Sequence, residues 1–224
     1  SAALVNACAV IPTYNPPPAL VERVRDLVLD GTRVLVVDDA SPSPEADVVL
    51  DGCAAAGAEV RREPINAGIG RALNAGHRWA TELRADYLLT LDQDTSIPRG
   101  YVSRAASLIE QLSPEVRVGL VAPSVLSSRP VASAPLGRAA REAVVAIQSG
   151  SVFPVGTLEV AGEFREDFVM DCLDLELCLR LRASGAKVVL HPDLAVTHAL
   201  GDPTDVTFFG RKITIGDRTL RVSN

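Results

Sequence analysis

The chain has 224 residues, 47% of them hydrophobic, which is enough to bury a substantial core. Its net charge of −6 argues against a nucleic-acid-binding surface, so we expect no nucleic acid partner. Its four cysteines have no Cys-x-x-Cys spacing, which favours free thiols. No apolar stretch reaches the roughly 18 residues of a membrane span, so we expect peripheral membrane contact at most.

Strands and helices are predicted to alternate through the first half of the chain. Short apolar runs predict the strands, and apolar residues three and four positions apart predict the helices between them. This alternation is typical of βαβ units, so we expect an α/β fold with a mostly parallel central sheet covered by helices on both faces. The predicted strands are 7–11, 33–39, 58–62, 87–91 and 116–121, and the predicted helices are 18–29, 41–56, 71–84 and 99–112.

The second half of the chain has a less regular pattern. Residues 123–142 are rich in proline, serine and alanine, and we predict a mobile surface loop there. No linker stands out, so we expect one domain over residues 1–224. The later predictions are a short helix capped by Thr157 and ending near Gly162, a helix at 172–184, strands at 187–190 and 195–198, and a small C-terminal hairpin turned at 216–217.

Acidic residues follow two of the predicted parallel strands. Asp38 and Asp39 end the second strand, and Asp92 and Asp94 follow the fourth. The carboxyl ends of parallel strands meet at one edge of a sheet, where ligands bind in open α/β folds. Two neighbouring carboxylates repel each other unless a cation lies between them, and Mg²⁺ prefers such oxygen ligands together with substrate phosphates. A metal and diphosphate site is therefore predicted, although Asp-x-Asp alone also fits a solvated acidic turn.

Two further features near this edge allow more than one interpretation. Tyr14 offers a flat ring on which a nucleobase could stack, or one that packs against the prolines of 16–18. The glycine-rich stretch 66–70 lacks the spacing of a dinucleotide-binding loop and the lysine of a P-loop. Its simplest meaning is a close approach of the backbone to a neighbour or ligand before a helix begins.

Three acids lie near the start of the helix predicted at 172–184. Glu176 has an ion-pair partner in Arg180, four residues later. Asp171 and Asp174 share a face where the helix dipole favours negative charge, and a carboxylate there could act as a general base. Helix capping explains Asp171 well and Asp174 less well. His198 is either a structural residue or the best candidate for a nitrogen ligand to the predicted metal.

Taken in order, these motifs resemble the family 2 glycosyltransferases of GT-A fold, and among them the bacterial O-antigen-type rhamnosyltransferases. The resemblance covers roughly residues 7–210. No single motif is decisive, but the complete set in this order is highly specific. The motifs are Ile11-Pro-Thr-Tyr-Asn15, Val36-Val-Asp-Asp-Ala-Ser41, 66–74, Leu89-Thr-Leu-Asp-Gln-Asp94, Ser149-Gly-Ser151, 171–180 and His198-Ala-Leu-Gly-Asp202.

The resemblance implies a metal-dependent, inverting transfer from a nucleotide-diphospho-sugar, dTDP-rhamnose or a UDP-sugar, to a glycan or lipid-linked glycan. It implies Mg²⁺ or Mn²⁺ as cofactor and a cytoplasmic location, which includes the inner face of the plasma membrane. Asp174 matches the catalytic base, and Asp94 and His198 match the metal ligands. The implied nucleotide and donor-binding residues are Pro12, Thr13, Tyr14, Asp39, Asn66, Gly68 and Asp92, and the implied acceptor or sugar residues are Ser149, Gly150, Ser151 and Asp171.

The chain departs from the family pattern at two places. Many relatives carry an acid directly before the base, where this chain has Leu173, so the choice of base between Asp174 and Asp171 stays open. The chain also stops before a basic and aromatic segment that many relatives carry, and we expect a truncated C-terminus. Two other functions remain open, a non-catalytic nucleotide-sugar-binding module and a sugar nucleotidyltransferase. The absence of Lys and Arg from 12–21 argues against the latter.

Overall fold

The computed structural model describes residues 5–126, 129–130, 133–137, 140–168, 172–198, 204–208, 211–215 and 221–222. The helices in this part of the chain are α1 Leu20–Leu29, α2 Pro44–Ala55, α3 Ile69–Glu82, α4 Tyr101–Leu112, α5 Val155–Ala161 and α6 Leu173–Ala183. The strands are β1 Ala7–Thr13, β2 Arg33–Asp38, β3 Glu59–Arg62, β4 Tyr87–Thr90, β5 Thr95–Ser96, β6 Val118–Leu126, β7 Arg129–Pro130, β8 Ala134–Gly137, β9 Ala140–Ala143, β10 Ser151–Pro154, β11 Lys187–His198, β12 Thr204–Phe208, β13 Arg211–Ile215 and β14 Arg221–Val222.

The central sheet has the strand order β3-β2-β1-β4-β10-β6-β11-β9-β8. Strands β3, β2, β1 and β4 are parallel to one another, whereas β10 runs antiparallel to both β4 and β6. Strand β11 is parallel to β6. The α/β fold is therefore confirmed, with an all-parallel first half and a mixed second half.

Helices cover both faces of this sheet, as predicted. Alternate residues of a strand point to opposite faces, so Val10 belongs to one buried cluster and Ile11 to the other. The first cluster receives apolar side chains from α3, α5 and α6, and the second receives them from α1, α2 and α4. Burial on both faces explains why the parallel strands are continuous apolar runs rather than alternating ones.

The structure differs from the sequence prediction between residues 123 and 142. Strand β6 continues to Leu126, and β9 pairs antiparallel with β11, where Ala140 and Ala143 are buried. Backbone hydrogen bonds to β11 stabilise this segment, which therefore needs few apolar side chains of its own. The described parts of 123–142 are thus largely strands rather than an irregular loop, and the mobility of the segment stays a prediction.

Three smaller predictions can also be compared with the structure. The strands predicted at 187–190 and 195–198 are one strand, β11, with an irregularity between His191 and Ala195. Thr157 does not cap α5, which begins at Val155; its hydroxyl donates instead to the carbonyl of Val118 at 3.4 Å. The C-terminal strands β12, β13 and β14 form an antiparallel sheet in which β13 and β14 pair as predicted, and the predicted turn at 216–217 lies outside the described residues.

None of the helices in the described part of the chain combines the length and the apolar character that a membrane crossing needs. All four cysteines are unpaired, as predicted. Burial raises the pKa of the Cys178 thiol to about 11, so this side chain remains protonated near neutral pH.

Candidate active site

The predicted donor-binding residues lie at one edge of the central sheet. Strand β1 is flanked by β2 on one side and β4 on the other, and the chain reverses its direction of winding between β1 and β4. Ligands in open α/β sheets bind in the crevice at such a reversal, beyond the carboxyl ends of the strands. The ends of β1, β2 and β4 carry Tyr14, Asp39 and Asp92, respectively.

Asp38 is a structural residue of this edge. Its side chain is fully buried, and its carboxylate accepts hydrogen bonds from the backbone N–H of Ser41 at 3.1 Å and from the Ser41 hydroxyl. Arg62 approaches the same carboxylate at 3.4 Å. A buried carboxylate that is satisfied in this way holds the turn after β2 in place and is not accessible to a ligand.

Asp39 connects the end of β2 to the loop before α3. Its two carboxylate oxygens accept hydrogen bonds from the backbone N–H groups of Ala67 at 2.7 Å and Gly68 at 2.9 Å. Gly68 has φ = +87°, a backbone conformation that favours glycine. The structure therefore brings Asp39, Asn66 and Gly68 together as predicted, with Asn66 exposed at the surface.

Tyr14 follows β1 and is 46% exposed, and the residue before it, Thr13, accepts a hydrogen bond from the backbone N–H of Asp39 at 2.8 Å. Its backbone is held by the side chain of Gln93, whose Oε1 accepts from the Tyr14 N–H and whose Nε2 donates to the Tyr14 carbonyl, both at 3.1 Å. Gln93 thereby joins the end of β4 to the end of β1. The sequence analysis did not identify this role, because an amide between two acids carries no pattern that specifies its partner.

Asp92 lies beside the segment that leads into β10. Its backbone N–H donates to the Ser149 hydroxyl at 2.9 Å, and that hydroxyl is 2.9 Å from the hydroxyl of Thr95. The side-chain amide of Gln148 donates to the Asp92 carboxylate. The structure thus places Ser149 next to Asp92, and it adds Gln148, which the sequence analysis missed.

The segment 149–151 reaches this edge because β10 runs antiparallel to β4, with Ser151 opposite Thr90. Gly150 has φ = +84°, and its carbonyl accepts a hydrogen bond from the buried hydroxyl of Tyr101 at 2.6 Å. A side chain at this position would lie within 3 Å of both Val196 and Tyr101. Close packing therefore accounts for the glycine at position 150.

The predicted metal ligands Asp94 and His198 come from neighbouring parts of the backbone. Strand β5 pairs antiparallel with β11, with His198 opposite Thr95, the residue after Asp94. A carboxylate and an imidazole are a donor set that suits Mn²⁺ and is compatible with Mg²⁺. Among the side chains that the structure describes, which do not include that of His198, no three His, Cys, Asp or Glu residues form a metal-binding group.

Asp174 lies in the first turn of α6 and is half-buried, whereas Asp171 lies outside the described residues. One turn later, the Cys178 thiol contacts the backbone of Ala146, two residues before Gln148. This contact brings the start of α6 toward the segment that holds Asp92. The predicted ion pair between Glu176 and Arg180 is confirmed, at 2.6 Å.

Comparisons with known proteins agree with this geometry. The model of the family described as "Glycosyl transferase family 2" matches residues 8–130. A dTDP-rhamnosyl transferase of Shigella flexneri, RfbF, is 26% identical over 215 residues, which cover 88% of this chain and 70% of that protein.

Solved structures of low sequence identity share the fold. GalNAc-T7 with UDP, GalNAc and Mn²⁺ has a TM-score of 0.71 at 13% identity, and the match covers 88% of this chain and 44% of that chain. S. aureus TarS 1-349 with UDP-GlcNAc has a TM-score of 0.69 at 17% identity, and the match covers 88% of this chain and 60% of that chain. The mannosyltransferase PcManGT of Pyrobaculum calidifontis with GDP-Man and Mn²⁺ has a TM-score of 0.67 at 18% identity, and the match covers 90% of this chain and 60% of that chain. These likenesses confirm the predicted GT-A fold, and the chain spans less than two thirds of each of these structures.

Proposed function

Because the chain belongs to glycosyl transferase family 2, we propose that it is an inverting, metal-dependent enzyme that transfers rhamnose from dTDP-rhamnose to a cell-surface glycan or lipid-linked glycan. The observation that supports this proposal most directly is the meeting of Asp39, Asp92 and the segment 149–151 at the reversal between β1 and β4. The rhamnosyl transferase relative supports the choice of sugar. The reaction takes place in the cytoplasm, at the inner face of the plasma membrane, and 1–224 acts as one catalytic domain.

The donor lies in the crevice between β1 and β4. The exposed ring of Tyr14 stacks on the nucleobase, beside Pro12 and Thr13, and the remaining lone pairs of Asp39 face the base. Asn66 and Gly68 line the cleft, and Asp92 contacts the donor sugar. The buried segment Ser149-Gly-Ser151 supports the sugar and acceptor side of the site through its hydrogen bond to Asp92, and Asp171, three residues before the base, belongs to the same side.

Asp94 and His198 would hold the divalent cation, Mg²⁺ or Mn²⁺. When bound, the cation supplies positive charge that neutralises the departing diphosphate. The protein itself contributes rigidity here, since the backbone pairing of β5 with β11 fixes the distance between the two parts of the chain that carry these ligands.

Asp174 is the general base. Its carboxylate takes the proton from the acceptor hydroxyl as the hydroxyl oxygen forms a bond to the anomeric carbon of the donor sugar. The bond between that carbon and the diphosphate oxygen breaks on the opposite side, and the electron pair leaves with the nucleoside diphosphate. Attack from the side opposite the leaving group inverts the anomeric configuration.

Calorimetry of dTDP and UDP binding tests the donor site and its metal. We expect binding in the presence of Mn²⁺ that weakens at least tenfold with a chelator. Affinities that are equal in the two conditions would contradict the metal site, and a preference for UDP over dTDP would keep the mechanism but change the donor.

An Asp174→Asn variant tests the base, because the amide keeps the shape of the side chain and removes its basicity. We expect dTDP binding to survive while the release of dTDP from dTDP-rhamnose, with a lipid-linked glycan fraction as acceptor, falls by on the order of 10² or more. Glu176→Gln in the same helix turn is the matched control, since it removes an ion pair with Arg180 but no base. Normal turnover of Asp174→Asn together with an inactive Asp171→Asn would move the base to Asp171, and normal turnover of both would favour a different mechanism.

A further inference from the structure

Gln148 has an unusual environment for an amide side chain. The residue is 7% exposed, and its Nε2 donates a hydrogen bond to the Asp92 carboxylate. Its backbone carbonyl accepts a hydrogen bond from the Thr90 hydroxyl at the end of β4. Both its side chain and its backbone are therefore attached to the strand end that carries Asp92.

The orientation of this amide follows from hydrogen-bond chemistry. An ionised carboxylate only accepts hydrogen bonds, so the NH₂ end of the amide has to face Asp92. The other end, Oε1, is then buried without a hydrogen-bond partner among the residues that the structure describes. A buried acceptor of this kind is destabilising and is rare in folded proteins.

An apolar side chain of similar size would avoid this cost, so packing alone does not explain a glutamine at position 148. What the amide provides is a directed N–H bond to one oxygen of Asp92. That bond restricts the rotation of the Asp92 side chain. Asp92 is half-buried, and it also receives a fixed backbone geometry from the hydrogen bond between its N–H and Ser149.

We propose that Gln148 is a positioning residue that aims the Asp92 carboxylate at the bound donor sugar. This inference rests on the proposed function, because it takes Asp92 to be a donor contact. Gln148 acts through Asp92 and does not itself touch the reacting atoms. The unpaired Oε1 is the cost that the fold tolerates for holding Asp92 in one orientation.

The test compares Gln148→Met with wild type and with Gln111→Met, an exposed position in α4 outside the site. Methionine keeps the length of the side chain and removes both the N–H bond and the unpaired acceptor. We expect the KM for dTDP-rhamnose to rise, with kcat/KM lower by about tenfold or more, the usual effect of losing a hydrogen bond to a charged group. The Tm should stay within a few degrees of wild type, and Gln111→Met should match wild type throughout.

Two results would overturn the inference. One is a folded Gln148→Met protein with the kcat/KM of wild type. The other is a loss confined to kcat with a large fall in Tm, because a destabilised protein loses active molecules without changing the KM of the remainder. If the methionine variant does not fold, Gln148→Leu decides by the same kinetic criterion, since it also removes the N–H donor and introduces no charge beside Asp92. Failure of the proposed function is distinguishable, because wild type would then turn over no nucleotide sugar.

Discussion

The packing of α3 on β1 gives the most direct test of the structure, through Gly76. A Cβ atom at this position would lie 2.3, 2.5 and 2.6 Å from the Cβ, Cγ2 and Cγ1 atoms of Val10. Carbon atoms in contact are about 3.5–4.0 Å apart, so Gly76→Ala requires a displacement of more than about 1 Å. Val10 is fully buried and is paired with Leu35 on β2 and Thr90 on β4, so it cannot move without disturbing the sheet.

The expected cost follows from two opposing effects. Overpacking a core position costs about 1–3 kcal/mol and occasionally more. Replacing glycine by alanine inside a helix gains about 1 kcal/mol, so the net destabilisation is about 0–2 kcal/mol. It exceeds about 2 kcal/mol if the sheet resists the displacement of Val10. Because the distances to Val10 are so short, we expect a value at or above the upper end of this range.

Gly156→Ala is the matched control, since a Cβ atom there meets nothing within 4 Å. It lies in the first turn of α5 at an exposed position without a positive φ, so we expect a gain of about 0.5 kcal/mol. Urea denaturation measures the free energy of unfolding of both variants. Equal stability of the two variants would refute the close packing of α3 on β1. The same packing supports the site, because the N–H groups that Asp39 binds precede α3.

Two further predictions concern a buried histidine and Asp39. Burial lowers the pKa of His77 below its ordinary value of 6.5, so below that pH the unfolded chain binds a proton that the folded protein does not, and stability falls. We expect His77→Leu to reduce the loss of stability between pH 7 and pH 5. Part of that loss should persist in the variant, because burial also lowers the pKa of His191. An unchanged dependence of stability on pH would contradict this expectation. Asp39→Asn should lower the free energy of unfolding, measured with urea, by about 1.5–3 kcal/mol, because it weakens two hydrogen bonds to the loop 66–68. The control Asp47→Asn removes an exposed ion pair and should lower it by less than about 1 kcal/mol. Equal costs for these two variants would show that the contact with the loop contributes no more than an exposed ion pair.

Local sequence determined the strands and helices of the first half of the chain. The apolar runs of β1, β2 and β4 are buried on both faces. A continuous apolar run predicts such burial whichever strand lies next to it in the sheet. The acids after β2 and β4 were predicted to meet because parallel strands place their carboxyl ends at one edge. The ion pair of Glu176 with Arg180 was predictable for a similar reason, since residues four apart on a helix are neighbours.

The tertiary structure alone decided the direction of β10, which places Ser149 beside Asp92, and the pairing of β5 with β11, which places the backbone of His198 next to that of Asp94. It also decided the partners of Gln93 and Gln148. Strand direction and pairing depend on contacts between residues far apart in the chain, and an amide side chain can bond to almost any polar neighbour. Local propensity and periodicity carry no information about either choice, so only the packed fold specifies them.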